Sequence, residues 1–260
     1  MTFLHISDLH YLRDYSSDSS VFRPIFQAMT PPLAQLDLLL RQMAAQPDFL
    51  LITGDLVHEG TKEDYESLKK GLADRFPGLP VYSVPGNHDN KRAWQAVFGR
   101  GQARVSAVPL DGFQLILLDN TWPGLPGGQI TEQDMHSLRK LLNSGGEPAI
   151  LAMHHHLIKN QFVLPPAAYP ESLPVLLSEG RVYAILNGHT HHLYQGQFFC
   201  VKVHNAGSLS FRGIDMAAEV EMEEYPIVQL CRFSAGELHI NPVISPFPPR
   251  ILGRVRFTEE

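Results

Sequence analysis

The chain has 260 residues, 44% of them hydrophobic and 18% charged, so it can bury a sizeable core and is not expected to be disordered. A net charge of -6, with no block of Lys or Arg, disfavours non-specific binding to nucleic acid. The 2 cysteines are too few for a disulfide framework, and no apolar run is long enough to span a bilayer.

The amino-terminal residues begin a strand immediately. They show no signal peptide, because Asp8, His10 and Arg13 interrupt any apolar segment, and we therefore expect a cytoplasmic protein. Through residue 190 the chain alternates between short apolar runs and stretches with helical spacing of apolar residues. The predicted strands are 3–6, 48–53, 81–84, 114–118, 149–153 and 183–186, and the predicted helices are 33–45, 61–75, 91–98 and 131–142. Thr61 and Asp64 have the spacing of a capping box at the start of the second of these helices.

Residues 11–32 separate the first predicted strand from the first predicted helix. They are polar and contain prolines, and a segment of this length is too long for a plain connector. We expect either a lid or a mobile insertion. Two of its residues, Arg13 and Arg23, are candidate cations for a bound anion.

The carboxyl-terminal part of the chain has a different pattern. Residues 197–203, 226–233 and 237–244 are predicted strands without long helices between them. We expect an α/β fold in a single domain, with two packed mixed β-sheets flanked by helices. Residues 1–210 would form the core, and residues 211–260 a β-rich extension that completes the second sheet or forms an oligomer edge.

Strongly polar clusters follow five of the predicted strands. Loops at the carboxyl ends of strands converge in α/β sheets, so these clusters can meet in space. One such cluster could be a turn or a satisfied polar group, but five at five strand ends favour a shared site. They are Ser7-Asp8-Leu9-His10, Gly54-Asp55, Gly86-Asn87-His88-Asp89, His154-His155-His156 and Asn187-Gly188-His189-Thr190-His191.

The residue types of these clusters indicate a metal centre. Asp8 and His10 are two residues apart, as are His189 and His191, so each pair points to one side of an extended backbone. Carboxylate, amide and imidazole donors suit Mn, Fe, Zn, Co or Ni better than Ca. Seven ligands with one bridging carboxylate suffice for two ions, and such a pair promotes phosphoester hydrolysis.

In this order the five blocks resemble the calcineurin-like metallophosphoesterase family over residues 3–210. The Gly-Asn-His-Asp block and the loop over residues 118–130 look most like the class III cyclic-nucleotide phosphodiesterase branch, which includes cyclic AMP phosphodiesterases and glycerophosphodiesterases. The resemblance implies a four-layer α/β/β/α sandwich with two metal ions, drawn from Mn, Fe, Zn or Co. The absence of an arginine in the block at 58–60 argues against the Ser/Thr protein phosphatase branch.

The resemblance also implies a role for each motif residue. Asp55 would bridge the two ions, and Asn87, His88 and His191 would contact substrate, with His88 stabilising charge or protonating the leaving oxygen. The first ion would be held by Asp8, His10, Asp55 and His191, and the second by Asp55, Asn87, His155 and His189.

Two positions depart from the family pattern. His58 stands where members often carry an aspartate that pairs with the catalytic histidine, so we expect Asp89 to replace that carboxylate and His88 to have a lowered pKa. The third-block histidine is usually followed two residues later by proline, which is absent here. Spacing selects His155 as the ligand, and His154 stays a competitor.

These observations predict a hydrolase that cleaves a small phosphodiester, with 3',5'-cyclic AMP the best single choice, through a metal-activated hydroxide. A phosphomonoesterase or nucleotidase and a glycerophosphodiesterase are alternatives with the same site. A monoesterase would need a further cation, for which Arg13 and Arg23 are candidates. A non-catalytic scaffold is disfavoured because no ligand is missing, and a nuclease is disfavoured by the acidic balance. The expected partner is a small phosphoester, without a membrane, and a homodimer is left open.

Overall fold

The computed structural model describes residues 1–99, 101, 103–159, 161, 164–216 and 219–256. Strands and helices alternate through most of them. The strands are β1 (Thr2–Ile6), β2 (Phe49–Thr53), β3 (Val81–Val84), β4 (Val105–Leu110), β5 (Phe113–Leu118), β6 (Ala149–Ala152), β7 (Val182–Asn187), β8 (Tyr194–Phe198), β9 (Val201–Asn205), β10 (Arg212–Asp215), β11 (Val220–Glu224), β12 (Ile227–Ser234), β13 (Glu237–Ile244) and β14 (Arg250–Val255). The helices are α1 (Arg23–Ala28), α2 (Pro32–Leu40), α3 (Lys62–Arg75), α4 (Lys91–Val97), α5 (Glu132–Ser144) and α6 (Ser172–Ser178), and a 3₁₀ turn spans Tyr15–Ser17.

Two mixed sheets carry the fold. The first has 5 strands in the order β13-β12-β1-β2-β3, and the second has 6 in the order β4-β5-β6-β7-β9-β8. Strands β1, β2 and β3 run parallel to one another, as do β5, β6, β7 and β9. Parallel strands end at a common edge, so each sheet gathers its carboxyl-terminal loops on one side.

Apolar residues fill three successive interfaces between four layers. Between the sheets, the ring of Phe3 stacks on Phe49 at 4.8 Å and lies 6.3 Å from Phe113 of the second sheet. The outer face of the first sheet packs on α2, α3 and α4, and that of the second on α5 and α6. The α/β/β/α sandwich implied by the resemblance is therefore confirmed.

The carboxyl-terminal extension is rich in strands and contributes to two sheets. Strands β12 and β13 join the sheet of β1, and β10, β11 and β14 form a third sheet of 3 strands. Residues of α1, such as Ile25 and Phe26, pack on this sheet at Phe211 and Met222. Residues 11–32 thus form a cover together with the third sheet, which favours the lid over the mobile insertion. The oligomer edge and the homodimer stay predictions.

Several local predictions were wrong for physical reasons. The single strand predicted at 197–203 is the end of β8, a turn at residues 199 and 200, and the start of antiparallel β9. Strand β11 was not predicted because it is acidic; its Glu221 and Glu223 pair with arginines. Helix α6 was missed because of Pro174, which is tolerated in a first helical turn. Strand β4 contains Pro109, which an edge strand accommodates.

The predicted capping box is present. Thr61 and Asp64 exchange side-chain and backbone hydrogen bonds at the start of α3. None of the helices in the described ranges has the length and apolar character needed to cross a bilayer.

Candidate metal centre

The candidate ligands lie at the carboxyl ends of neighbouring parallel strands. Asp8 and His10 follow β1, Asp55 follows β2, and His189 and His191 follow β7. All five have a left-handed backbone, with φ of 54°, 46°, 49°, 72° and 60° in that order. This conformation costs a non-glycine residue about 1–2 kcal/mol and persists where the surroundings impose it. Backbone strain is therefore concentrated where the polar loops meet.

The first cluster consists of Asp8, His10, Asp55 and His191, whose donor atoms lie within 4.8 Å of one another. His10 Nε2 lies 3.6 Å from Asp55 Oδ2 and 3.2 Å from His191 Nε2. His191 Nε2 lies 3.5 Å from Asp8 Oδ1. Two carboxylates and two imidazoles thus face one point in a largely buried region.

The other nitrogens of these two imidazoles are held by the protein. His191 Nδ1 donates to the Phe211 carbonyl at 2.6 Å, which leaves the Nε2 lone pair facing the cluster. His10 Nδ1 lies 3.2 Å from Nδ1 of His58. Metal-binding imidazoles are normally fixed through their second nitrogen in this way.

The second cluster shares Asp55 with the first. His154 Nε2 lies 3.4 Å from Asp55 Oδ2 and 3.1 Å from Asn87 Oδ1. Its Nδ1 donates to the Thr53 carbonyl at 2.7 Å, which directs Nε2 at these two oxygens. The donor atoms of His154, His155 and His189 lie within 4.8 Å of one another, and Nε2 of His155 and of His189 has no hydrogen-bond partner among the described residues. Of the two neighbouring histidines, His154 is the one in contact with Asp55 and Asn87. We define the second cluster as Asp55, Asn87, His154 and His189.

The loops around Asp55 fit closely. The Oδ1 atom of Asp55 accepts from the His88 N–H at 2.9 Å. A Cβ at Gly86 would overlap the Asp55 carboxylate and backbone nitrogen. The glycine of the Gly-Asn-His-Asp block is thus required by this approach of two loops, and no larger residue fits there.

The three histidines after β6 have separate contacts. The sequence selects His155 as the ligand, but His154 is the one that contacts Asp55 and Asn87. The N–H of His155 donates to Asn120 Oδ1 at 3.1 Å, and its ring lies 4.5 Å from that of His189. Side chains of neighbouring residues in an extended chain point to opposite sides. A sequence assignment that is shifted by one residue therefore selects the wrong histidine. The geometry favours His154.

Asp89 does not orient His88, contrary to the prediction. Its buried carboxylate instead ties the loop after β2 to the loop after β3, which is a structural role. The carboxylate accepts from four donors at 2.7 to 3.1 Å: the N–H groups of Leu56, Val57 and Gly86 and the hydroxyl of Tyr65.

The carboxylate beside His88 belongs to Glu59. Its Oε1 lies 3.6 Å from His88 Nδ1, and its N–H donates to the His88 carbonyl at 2.8 Å. Burial lowers the pKa of His88, but the Asp55 charge and the Glu59 carboxylate raise it by more, so the net shift is upward and not the predicted fall. Sequence reasoning missed Glu59 because the family spacing points one residue earlier, to His58. The left-handed φ of Glu59, 49°, is a further sign of a functional position.

Most imidazole donors of the two clusters are neutral. Burial lowers the pKa of His10 and His189 well below the usual value and that of His191 to about 4, so these imidazoles are neutral near pH 7. Burial, reinforced by the Asp55 charge, raises the pKa of Asp8 to about 7. His154 differs: burial lowers its pKa, but the Asp55 and Asp8 charges raise it to about 9, so near pH 7 this ring carries a proton that a bound cation would replace. Neutral imidazoles beside crowded, buried carboxylates are a donor set that a cation would stabilise.

The residues predicted to contact substrate are the more accessible part of the site. Asn87 is exposed, His88 has 29% of its side chain exposed, and His191 is half-buried. The opposite side is closed by Phe211, whose ring lies 4.9 Å from His191. The site therefore opens on the side of the loop after β3.

Comparison with known proteins identifies related chains. The family model for calcineurin-like phosphoesterases matches residues 1–193. A probable cyclic nucleotide phosphodiesterase of Pseudoalteromonas is 29% identical over 59% of this chain and 59% of its own, so this chain matches well under two thirds of that relative. A cAMP/cGMP dual specificity phosphodiesterase of Mycobacterium tuberculosis is 31% identical over 80% of this chain and 67% of its own.

A solved structure shares the fold. The dimetal phosphatase from Danio rerio superimposes with a TM-score of 0.53 over 85% of this chain and 94% of its own, at 12% identity. Similarity at this level of identity concerns the architecture alone.

Proposed function

The chain belongs to the calcineurin-like phosphoesterase family, and from that premise we propose that it hydrolyses a small phosphodiester at a centre of two metal ions. The observation that carries the proposal is the position of Asp55 Oδ2, 3.6 Å from His10 Nε2 and 3.4 Å from His154 Nε2. A carboxylate shared by two clusters is how a pair of ions about 3.5–4 Å apart is held. The names of the relatives support a cyclic nucleotide as the diester, with cyclic AMP the first choice.

Each cluster would hold one ion. Mn, Fe, Zn or Co suit these donors, and when bound they supply Lewis-acid chemistry that neutralises phosphoryl charge and lowers the pKa of water. A cytoplasmic location is proposed with this function. The first ion would be held by Asp8, His10, Asp55 and His191, and the second by Asp55, Asn87, His154 and His189.

His88 is the proposed proton donor. It adjoins Asn87 on the accessible side of the site, and its N–H donates to Asp55. Expulsion of an alkoxide near neutral pH requires a nearby acid, and imidazole titrates in that range. In the protonated ring, Nδ1–H faces Glu59 at 3.6 Å, which leaves Nε2–H for the leaving oxygen. Glu59 would orient the ring.

The contacts of Arg13 favour a diester over a monoester. A monoester dianion needs more positive charge than a singly charged diester. Arg13, a candidate cation, is committed to Asp64, with its Nε 3.1 Å from Oδ1. Arg23 is exposed at the first position of α1. Neither arginine is a member of either cluster. Glycerophosphodiesters stay in the same substrate class.

A substrate panel with metal analysis tests the function. Protein freed of metal and reloaded with Mn²⁺ is assayed on bis-p-nitrophenyl phosphate, 3',5'-cyclic AMP, 2',3'-cyclic AMP, a glycerophosphodiester and p-nitrophenyl phosphate. We expect two ions per chain and faster turnover of diesters than of the monoester. Asn87→Ala should lower occupancy of the second cluster and diester turnover together, by about tenfold or more, because a ligand is lost.

Asn143→Ala is the matched control, because Asn143 is exposed on α5, away from the loops that form the two clusters. It should retain both ions and full turnover. Protein that binds two ions and turns over none of the diesters would contradict the proposed function. Preference for the monoester would favour the phosphatase alternative.

A further inference from the structure

His58 lies against the first cluster without belonging to it. Its ring centroid is 5.3 Å from that of His10 and 4.7 Å from that of His88, and the residue is only 3% exposed. On its outer side the ring contacts Phe26 of α1, at 4.5 Å between centroids. His58 is therefore enclosed between the candidate ligands and the cover formed by residues 11–32.

Only one proton can lie between the Nδ1 atoms of His58 and His10. The two Nδ1 atoms are 3.2 Å apart, so one ring donates and the other accepts. Nε2 of His10 faces Asp55 and His191, and as a metal ligand it must be unprotonated. The proton of neutral His10 then lies on Nδ1, and Nδ1 of His58 accepts it. The proton of His58 is in consequence on Nε2.

Nε2 of His58 has no hydrogen-bond partner among the described residues, and it faces Asp18 Oδ1 at 3.9 Å. Asp18 belongs to residues 11–32, and its side chain is 8% exposed. Its position is fixed by Ser20, whose N–H and hydroxyl donate to the carboxylate at 3.2 and 2.7 Å. A buried donor directed at a buried carboxylate is an attractive pair in a region that excludes water.

We propose that His58 and Asp18 form an outer shell for the first metal ion, which fixes His10 as an Nε2 ligand and links residues 11–32 to metal affinity. The inference rests on the proposed metal centre. Outer-shell partners hold a ligand imidazole in one tautomer and one orientation, and their loss typically weakens metal binding about 10–100-fold. His58 performs this task as a neutral group, and Asp18 supplies the negative charge from farther away.

Zinc titration against a chromophoric chelator tests the proposal on the full chain. His58→Ala should weaken binding of one of the two ions about 10–100-fold and leave the other unchanged. Asp18→Asn should weaken the same ion by a smaller factor. Asp14→Asn is the control from the same segment, because Asp14 caps the 3₁₀ turn by accepting from Ser16 N–H at 2.8 Å, and it should match the parent.

Nitrogen-15 NMR of the zinc-loaded parent gives a second readout that does not depend on activity. The proposal requires a proton on Nδ1 of His10 and on Nε2 of His58, and the opposite tautomer of His58 would overturn it. The proposal would also be overturned if His58→Ala bound zinc as tightly as the parent. The same holds for Asp18→Asn, provided that circular dichroism shows its fold to be intact. A parent that binds no zinc overturns the metal centre itself, whereas a zinc-binding parent that hydrolyses no diester overturns the proposed function alone.

Discussion

The two clusters share Asp55 but differ in how they are enclosed. In the first cluster the imidazoles are held from behind, with His191 Nδ1 donating to the Phe211 carbonyl and His10 Nδ1 against His58, beneath the cover. In the second cluster Asn87 is exposed, and neighbouring His88 has 29% of its side chain exposed. If the two clusters hold the proposed ions, this difference favours tighter metal binding in the first cluster and more substrate contact on the side of Asn87 and His88.

The largest expected effect comes from the residue that joins the two clusters. Asp55→Asn keeps the shape and the acceptor for the His88 N–H but removes the shared charge. Loss of several kcal/mol of charge stabilisation, at ~1.4 kcal/mol per tenfold in rate, predicts a fall in turnover of about 10³-fold or more. Metal analysis should show reduced occupancy of both clusters.

Asp74→Asn is the control for this change, since Asp74 lies on the exposed side of α3 in an ion pair with Lys70. If Asp55→Asn still bound two metal ions at full occupancy, the clusters would be independent of Asp55. They could then not be compared as halves of one centre.

The next largest effect distinguishes the two histidines that compete for the second cluster. His154→Ala should lower occupancy of the second ion and turnover by about 10²-fold, because His154 contacts Asp55 and Asn87. His155→Ala should have a smaller effect on metal binding, since the His155 ring lies against Asn120, with Nδ1 3.3 Å from Oδ1, whereas His154 contacts Asp55 and Asn87.

Both histidines are fully buried, so each variant serves as the control for the other in loss of packing. Thermal melting measures that loss, and isothermal titration with Mn²⁺ measures the ion. A larger loss of metal binding in His155→Ala than in His154→Ala would identify His155 as the ligand.

The smallest expected effect tests the role of Glu59 beside His88, on the accessible side of the site. Glu59→Gln removes the charge beside His88 with little change in shape, and should lower kcat by about tenfold for cyclic AMP, whose leaving group is an alkoxide that needs an acid. Bis-p-nitrophenyl phosphate has a good leaving group and should be nearly unaffected. KM and both metal ions should stay at parent values.

Asp89→Asn gives the contrast to Glu59→Gln. Asp89 supports backbone N–H groups of two loops, so its loss should reduce thermal stability and affect both substrates alike. Equal losses for both substrates in Glu59→Gln would show that Glu59 does not assist His88.

Local patterns in the sequence determined much of the fold. The apolar runs of β1, β2, β3, β6 and β7 were predicted within one residue of their bounds, and the capping box of α3 was read from Thr61 and Asp64. These features depend on neighbours along the chain. Strand β11 and the third sheet were missed because they are stabilised by contacts with distant residues, such as Glu221 with Arg254.

The sequence by itself determined the kind of site. Polar clusters at strand ends specify the donor types and the edge where they meet, and both follow from chain order. Only the tertiary structure decided that His154 and not His155 contacts Asp55, and that Glu59 and not Asp89 stands beside His88. The physical reason is that packing imposes the backbone angles of the residues after a strand. Those angles decide which way each side chain points, and the direction changes from one residue to the next.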